Sequence, residues 1–167
     1  MTTALLILAY NEEKKIGDLV TKFSKSFKKI IVINDASTDS TNDILNHLLQ
    51  QNSNLNIITN EKNLGAGKSF TIGVDAFLKT DCENLIKIDG DGQFNYDDII
   101  RINSLLQNHE YSYIRCDRFW SDGIKGKIPN IRYLGNSIAS LLIKFSTGIW
   151  NLNDPLNGLY GMKRNVL

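Results

Sequence analysis

Cysteine, proline and histidine are all scarce in this chain, with two of each in 167 residues. Cys82 and Cys116 lie far apart, form no Cys-x-x-Cys pair and have no histidine at ligand spacing. That excludes a zinc ribbon and a disulfide scaffold, and fits a reducing compartment. So little proline suits a compact α/β chain better than a loop-rich sandwich. An excess of one charge is missing too: 19 Lys and Arg against 18 Asp and Glu leave +1. Nucleic-acid-binding domains usually carry a clear basic excess or stripe, so an extended nucleic-acid surface is not expected. A small anion needs only a few local groups and stays open. Long hydrophobic runs are also lacking. Ala4 to Tyr10 is too short to span a membrane and meets Asn11-Glu12-Glu13 at once, so neither a span nor a signal peptide is read. The chain is expected to be soluble and cytoplasmic.

What is present is ordinary globular composition, 42% hydrophobic and 22% charged, in one domain able to bury roughly 70% of its unfolded surface. Short apolar runs alternate with helical periodicities. Strands are predicted at 4–9, 30–33, 55–59, 85–88 and 111–114. Between them, Ile16, Leu19, Val20, Phe23 and Phe27 share one helix face, Ile44, Leu45, Leu48 and Leu49 a second, Phe70, Val74, Phe77 and Leu78 a third, and Ile99, Ile100, Leu105 and Leu106 a fourth. Asp39 or Ser40 is placed to cap the second helix. A polar loop at 117–130 precedes a long amphipathic helix at 131–146, then Asp154-Pro155 and a last segment at 158–167. This β-α-β alternation predicts an α/β fold: a three-layer α/β/α sandwich on a mostly parallel sheet. Such sheets bind ligands beyond the carboxyl ends of their strands. Three polar clusters sit there: Tyr10-Asn11-Glu12, Asn34-Asp35-Ala36-Ser37 and Asp89-Gly90-Asp91-Gly92-Gln93.

Asp89 and Asp91, flanking a glycine just past a buried strand, can converge on one cation. Oxygen-only ligands suit Mg²⁺ or Mn²⁺, which completes its shell with water and substrate diphosphate, and Gln93 can add a carbonyl oxygen or hold a metal-bound water. The alternative is a solvated Asp-Gly turn. An EF-hand is excluded because position 100 is isoleucine where the loop needs glutamate. Asp35 can accept hydrogen bonds from a nucleobase N–H or ribose hydroxyls, while Ser37 and Asp39 cap the following helix. Gly65-Ala66-Gly67-Lys68-Ser69 fails the phosphate-loop spacing, since position 62 is lysine, and the dinucleotide fingerprint, since position 70 is phenylalanine. It reads as a tight turn into a helix whose amides could still meet a phosphate. Arg118, beside Phe119 and Trp120, can pair with a phosphate or be a surface arginine. His47, His109 and both cysteines read as bystanders.

In order, Leu8-Ala9-Tyr10-Asn11-Glu12-Glu13, Ile33 to Asp39, Asn63 to Lys68, Ile88 to Gln93, Arg118-Phe119 and Asp154-Pro155 through Gly158 resemble the family 2 glycosyltransferases with the GT-A fold. The branch they resemble is the polyprenyl-phosphate sugar transferases. The resemblance runs from about residue 3 to 167. It implies a metal-dependent, inverting hexosyltransferase that moves a sugar from a UDP- or GDP-sugar to a polyprenyl phosphate or a growing cell-surface glycan. In it Tyr10, Glu12 and Asp35 hold the base and ribose, and Asp89, Asp91 and Gln93 hold Mg²⁺ or Mn²⁺ on the diphosphate. Arg118 meets a phosphate of donor or acceptor, and Asp154 is an acidic residue near the reacting centre. The family pattern usually has Pro for Leu8, Asp for Asn34 and Gly for Ala36. It often has Arg or Lys where Tyr160 stands, a place that Lys163 or Arg164 could fill in space. Family members usually continue past the position of Leu167. Residues 1–118 are therefore expected to bind the nucleotide sugar and 119–167 to form an incomplete acceptor side, in a single glycosyltransferase domain. The rivals are a nucleotidyltransferase, which would carry a Gly-rich basic loop where Tyr10-Asn11-Glu12-Glu13 stands, and a non-catalytic nucleotide-sugar-binding module. The helix at 131–146, with Arg132 and Lys144 at its edges, either covers the sheet or rests on the cytoplasmic face of a membrane.

Overall fold

The structure, a computed structural model, describes residues 2–108, 111–116, 130–148, 150 and 157–167. Six strands form one sheet: β1 (Thr3–Ala9), β2 (Lys29–Asn34), β3 (Leu55–Thr59), β4 (Asn84–Asp89), β5 (Tyr113–Arg115) and β6 (Tyr160–Lys163). Their order is β3-β2-β1-β4-β6-β5. The first four run parallel, and β6 returns antiparallel to β4. The helices are α1 (Ile16–Phe23), α2 (Thr41–Gln51), α3 (Ala66–Leu78), α4 (Tyr96–Gln107) and α5 (Asn130–Thr147).

The apolar runs become strands because both sheet faces are covered. β1, at the centre, has all seven residues buried. On one face α3 packs Phe77 and Ala76 against Leu6, Leu8, Ile31, Ile33, Leu85 and Met162. On the other face lies α4, whose Ile102 and Leu106 sit over Gly161 and whose Asn103 accepts a hydrogen bond from Thr3 at 2.6 Å. The aromatic ring of Phe23 on α1 stacks on Tyr96 of α4, with centroids 5.1 Å apart. The predicted α/β layering is thus the observed one, with a mostly parallel sheet between helices.

Two elements differ from expectation. The first helix stops at Phe23 rather than running to Phe27. A turn closed by the Ser26 N–H on the Phe23 carbonyl (2.9 Å) brings Phe27 back, edge-on to Phe23 at 5.7 Å, so the apolar spacing survives without the helix. The last segment contains β6, a four-residue strand too short and too interrupted by Gly161 to show an alternating pattern.

The chain divides into two compact units, Met1–Ile114 with Leu159–Leu167, and Arg115–Gly158. In the second unit, Asn157 donates to the Cys116 carbonyl at 2.7 Å. Its helix α5 exposes Ile138, Leu141, Leu142 and Phe145, and Trp150 packs edge-on against Phe145 at 5.3 Å. No helix among the described residues is long and apolar enough to cross a membrane.

Candidate active site

Strand order reverses between β1 and β4: the chain winds outward through β2 and β3, then crosses back to the other side of β1. Beyond the carboxyl ends of two such strands a crevice must open, because the connections leave in opposite directions. Here a cleft of about 180 Å³ opens there, lined by Tyr10, Glu12, Asp35, Ser69, Asp89 and Asp91 among others. The three polar clusters therefore meet at one place.

Gly90 is what lets β4 end against β1. Its N–H donates to the Leu8 carbonyl at 2.8 Å. A Cβ at this position would lie 3.1 Å from that carbonyl oxygen and 3.3 Å from the Glu12 side chain. Any side chain here would push the two strand ends apart. Asp89 and Asp91 flank this contact. Asp89 Oδ1 pairs with the ammonium of Lys87, and Asp91 Oδ1 accepts from the Gln93 N–H at 3.0 Å. Among the described residues, Oδ2 of each carboxylate accepts no protein hydrogen bond. Glu12 closes the group. Burial raises its pKa above the ordinary carboxylate value, and the charges of Asp91, Asp39 and Asp89 push the same way. Among the described residues no three acidic, imidazole or thiolate side chains form a ready-made metal cage. Two carboxylates with unclaimed oxygens at an open cleft do fit Mg²⁺ or Mn²⁺, which takes few protein ligands and fills the rest with water and phosphate oxygens. Gln93 is exposed beside them.

Asp35 is treated differently. It is buried, and both its oxygens are engaged: Oδ1 accepts from Asn60 Nδ2 (2.7 Å) and the Leu64 N–H (2.9 Å), and Oδ2 from the Gly65 N–H (2.8 Å). Burial pushes its pKa up, but the Leu64 amide, Asn60, the Ser69 hydroxyl and the Gly65 amide outweigh it and hold the carboxyl below its ordinary value. Asn60 also reaches Ser69 Oγ at 3.1 Å. The carboxylate thus pins the turn that starts α3, whose N-cap Gly65 has φ 80°. Asp35 lines the cleft, and it also organises the 63–65 turn, a role that the sequence does not announce.

The loops after β1 and β2 are laced together. Asn11 Oδ1 accepts from the Thr38 N–H (2.7 Å), Glu12 N–H donates to Thr41 Oγ1 (2.8 Å), and Glu13 N–H donates to Asp39 Oδ2 (3.1 Å). Asp39 Oδ1 accepts from the Thr41 N–H at 3.0 Å, so it caps α2, while Ser40 makes no side-chain cap bond. Burial raises the Asp39 pKa, but hydrogen bonds from Thr41 and Glu13 leave it below its ordinary value. This lacing holds Tyr10, about half exposed at the rim, beside Glu12.

Arg118 and Asp154 lie outside the described residues, as does His109. His47 bonds only to Gln51 on its own exposed helix face, at 2.9 Å. Lys163 and Arg164 do not take the place of a basic residue at 160. Arg164 donates to the carbonyls of Cys82 (3.0 Å), Leu78 (3.1 Å), Phe77 (3.3 Å) and Thr80, capping the far end of α3. Lys163 is in register with Asn84, at the amino end of β4, away from the cleft. The buried cation paired with a cleft carboxylate is Lys87, whose signal is a lone lysine inside the apolar run Leu85-Ile86-Lys87-Ile88.

Known proteins share this fold. Glucosyl-3-phosphoglycerate synthase from Mycobacterium tuberculosis, solved with uridine diphosphate, superimposes with a TM-score of 0.66 at 18% identity, over 99% of this chain and 58% of that one. A mannosyltransferase from Pyrobaculum calidifontis, solved with GDP-Man and Mn²⁺, gives 0.64 at 16% identity, over 99% of this chain and 45% of that one. The UDP-N-acetylglucosamine–dolichyl-phosphate N-acetylglucosaminyltransferase of Methanococcus voltae is 27% identical over 176 residues, 98% of this chain and 70% of that protein. The chain thus spans between about half and seven-tenths of these relatives' lengths. The sequence profile described as "Glycosyl transferase family 2" matches residues 4–164. Nearly the whole chain, from the first strand to the turn after the last, follows that pattern: the protein belongs to glycosyl transferase family 2 and has the GT-A fold.

Proposed function

We propose that the protein transfers a hexosyl group, with inversion, from a nucleoside-diphosphate sugar to a polyprenyl phosphate or a growing cell-surface glycan. The observation that carries this is the acid-lined cleft at the β1/β4 switch point, where Asp89 and Asp91 each keep an oxygen free of protein hydrogen bonds. Support comes from relatives named for these substrates: one for UDP-N-acetylglucosamine and dolichyl phosphate, another solved with GDP-Man and Mn²⁺.

In this reading Tyr10, Glu12 and Asp35 hold the base and ribose, and Asp89, Asp91 and Gln93 hold Mg²⁺ or Mn²⁺. The divalent ion, when bound, supplies positive charge against which the diphosphate departs. The acceptor oxygen bonds to the anomeric carbon as the bond to the diphosphate oxygen breaks, and the centre inverts. A phosphate acceptor arrives ionised and needs no base. A hydroxyl acceptor must surrender a proton, a role assigned to Asp154. Arg118 is assigned to a phosphate of donor or acceptor.

Calorimetry with UDP- and GDP-sugars tests this. Binding is expected to require Mn²⁺, and Asp91→Ala to weaken it about a hundredfold or more, since removing a charged ligand from a metal site costs several kcal/mol. Metal-independent binding, or wild-type affinity in Asp91→Ala, would sink the reading. The exposed apolar residues of α5 suit peripheral contact with the cytoplasmic face of a membrane. Leu141→Asp should then abolish flotation with anionic liposomes while the melting curve stays put; retained flotation rejects the contact.

A further inference from the structure

Among the described residues Lys87 is the single buried lysine or arginine, 5% exposed. An ammonium in the middle of an apolar strand is dehydrated at large cost and is retained only with a partner. The partner is Asp89, two residues on and so on the same face of the sheet. Directly across in β6, in register with Lys87, stands Tyr160, its ring centroid 5.6 Å from the ammonium. Tyr160 is walled in by Phe70 at 5.7 Å and Tyr113 at 6.3 Å. The Tyr160 ring thus stands, buttressed by two other rings, beside the ammonium that pairs with Asp89 Oδ1. A basic residue at 160 would set a second cation against the first, whereas a tyrosine offers it a ring face. Lys87 and Tyr160 are therefore a matched pair across neighbouring strands.

We propose that Lys87 is the resident counter-cation of the Glu12–Asp89–Asp91 cluster, a positioning residue that makes divalent-metal binding depend on the diphosphate. The inference rests on the metal–diphosphate reading of the cleft. With Lys87 on Asp89, a bare divalent ion meets a fixed ammonium beside its ligand, in a setting where charge repulsion is poorly screened. A divalent ion carried on a nucleoside diphosphate is a net-negative unit, and the same ammonium attracts it. The lysine thus opposes the first kind of binding and favours the second. A side chain that merely filled space would do neither.

The test is Mn²⁺ titration of the full chain, with free Mn²⁺ read by electron paramagnetic resonance, with and without whichever of UDP and GDP the wild type binds. Lys87→Met should bind bare Mn²⁺ about tenfold tighter or more and the Mn²⁺–nucleotide pair about tenfold weaker or more, while Lys87→Arg, which keeps the charge, follows the wild type in both. Circular dichroism establishes that each variant is folded, and Lys87→Gln serves as the neutral variant should Lys87→Met not fold. Unchanged or weaker bare-Mn²⁺ binding in the neutral variant overturns the proposal, as does an arginine variant that behaves like the neutral one. A wild type that binds Mn²⁺ with neither nucleotide instead sinks the reading of the cleft and takes the inference with it.

Discussion

Two acidic groups face the same cleft and are handled in opposite ways. Asp35 is wrapped in donors, from Asn60, Ser69 and two backbone amides, and its pKa is lowered. Glu12, Asp89 and Asp91 stand close together with few donors among them, and the pKa of Glu12 is raised by burial and by its acidic neighbours. A carboxylate wrapped in this way fixes the backbone around it before it offers anything to a ligand. Carboxylates that repel one another store a demand for positive charge, met in part by Lys87. The sequence alone presents both groups as carboxylates after strands. The difference lies in what the following segment returns to each.

The comparison breaks most visibly through stability. Asp35→Asn turns an acceptor into a partial donor facing two backbone amides, and should cost about 2–3 kcal/mol, the usual penalty for unpairing buried groups in a network. Asp91→Asn, on the cluster side, should stay within about 0.5 kcal/mol of wild type because nothing buried depends on it. Urea denaturation of both variants checks the pair, and equal costs would erase the distinction. The acid limb provides an independent reading. Since the folded-state pKa of Asp35 lies below its unfolded value, its contribution is fully present above the ordinary carboxylate range and is lost as pH falls through the folded value. The Asp35→Asn variant should lose less stability than wild type as pH falls from that range through the folded value, and parallel acid limbs would assign the linkage elsewhere.

Most of this fold was legible because its information is local. The runs at 4–9, 30–33, 55–59 and 85–88 have no polar residue to spare for solvent except Lys87 and the edge positions of β3, so buried parallel strands follow from composition. That the polar clusters lie beyond the carboxyl ends of the strands followed from the alternation, and with it the meeting of Tyr10, Asp35 and Asp89, whereas the strand order that opens the cleft did not. What could not be read depended on contacts distant in the chain. That Asn60 and Ser69 saturate Asp35 requires α3 to start beside β2. That Arg164 caps α3 rather than serving the cleft requires β6 to run antiparallel, which four residues including a glycine do not announce. Lys87 was visible as an anomaly, but its meaning depended on Tyr160, 73 positions away in sequence and adjacent in the sheet.

The finest test lies next to Asp35, at Ala36. This residue has φ 57°, in the left-handed region, one position past the carboxylate that pins the turn. The family pattern usually has glycine there, and the conformation says why: a Cβ in this region costs roughly 1–2 kcal/mol that glycine avoids. Glycine also has more freedom to lose on folding, which takes back about 0.4–1 kcal/mol. Ala36→Gly should therefore stabilise the protein by about 0.5 kcal/mol net. The strain sits on the donor-saturated side of the cleft, so relieving it should leave Mn²⁺-dependent nucleotide binding where it was. A stability gain with unchanged affinity, measured on the same preparation, makes the Asp35 loop scaffold. A gain accompanied by a change in affinity means that the loop's strained shape is itself read by the ligand, and the two acidic groups are less separate than their hydrogen bonds suggest.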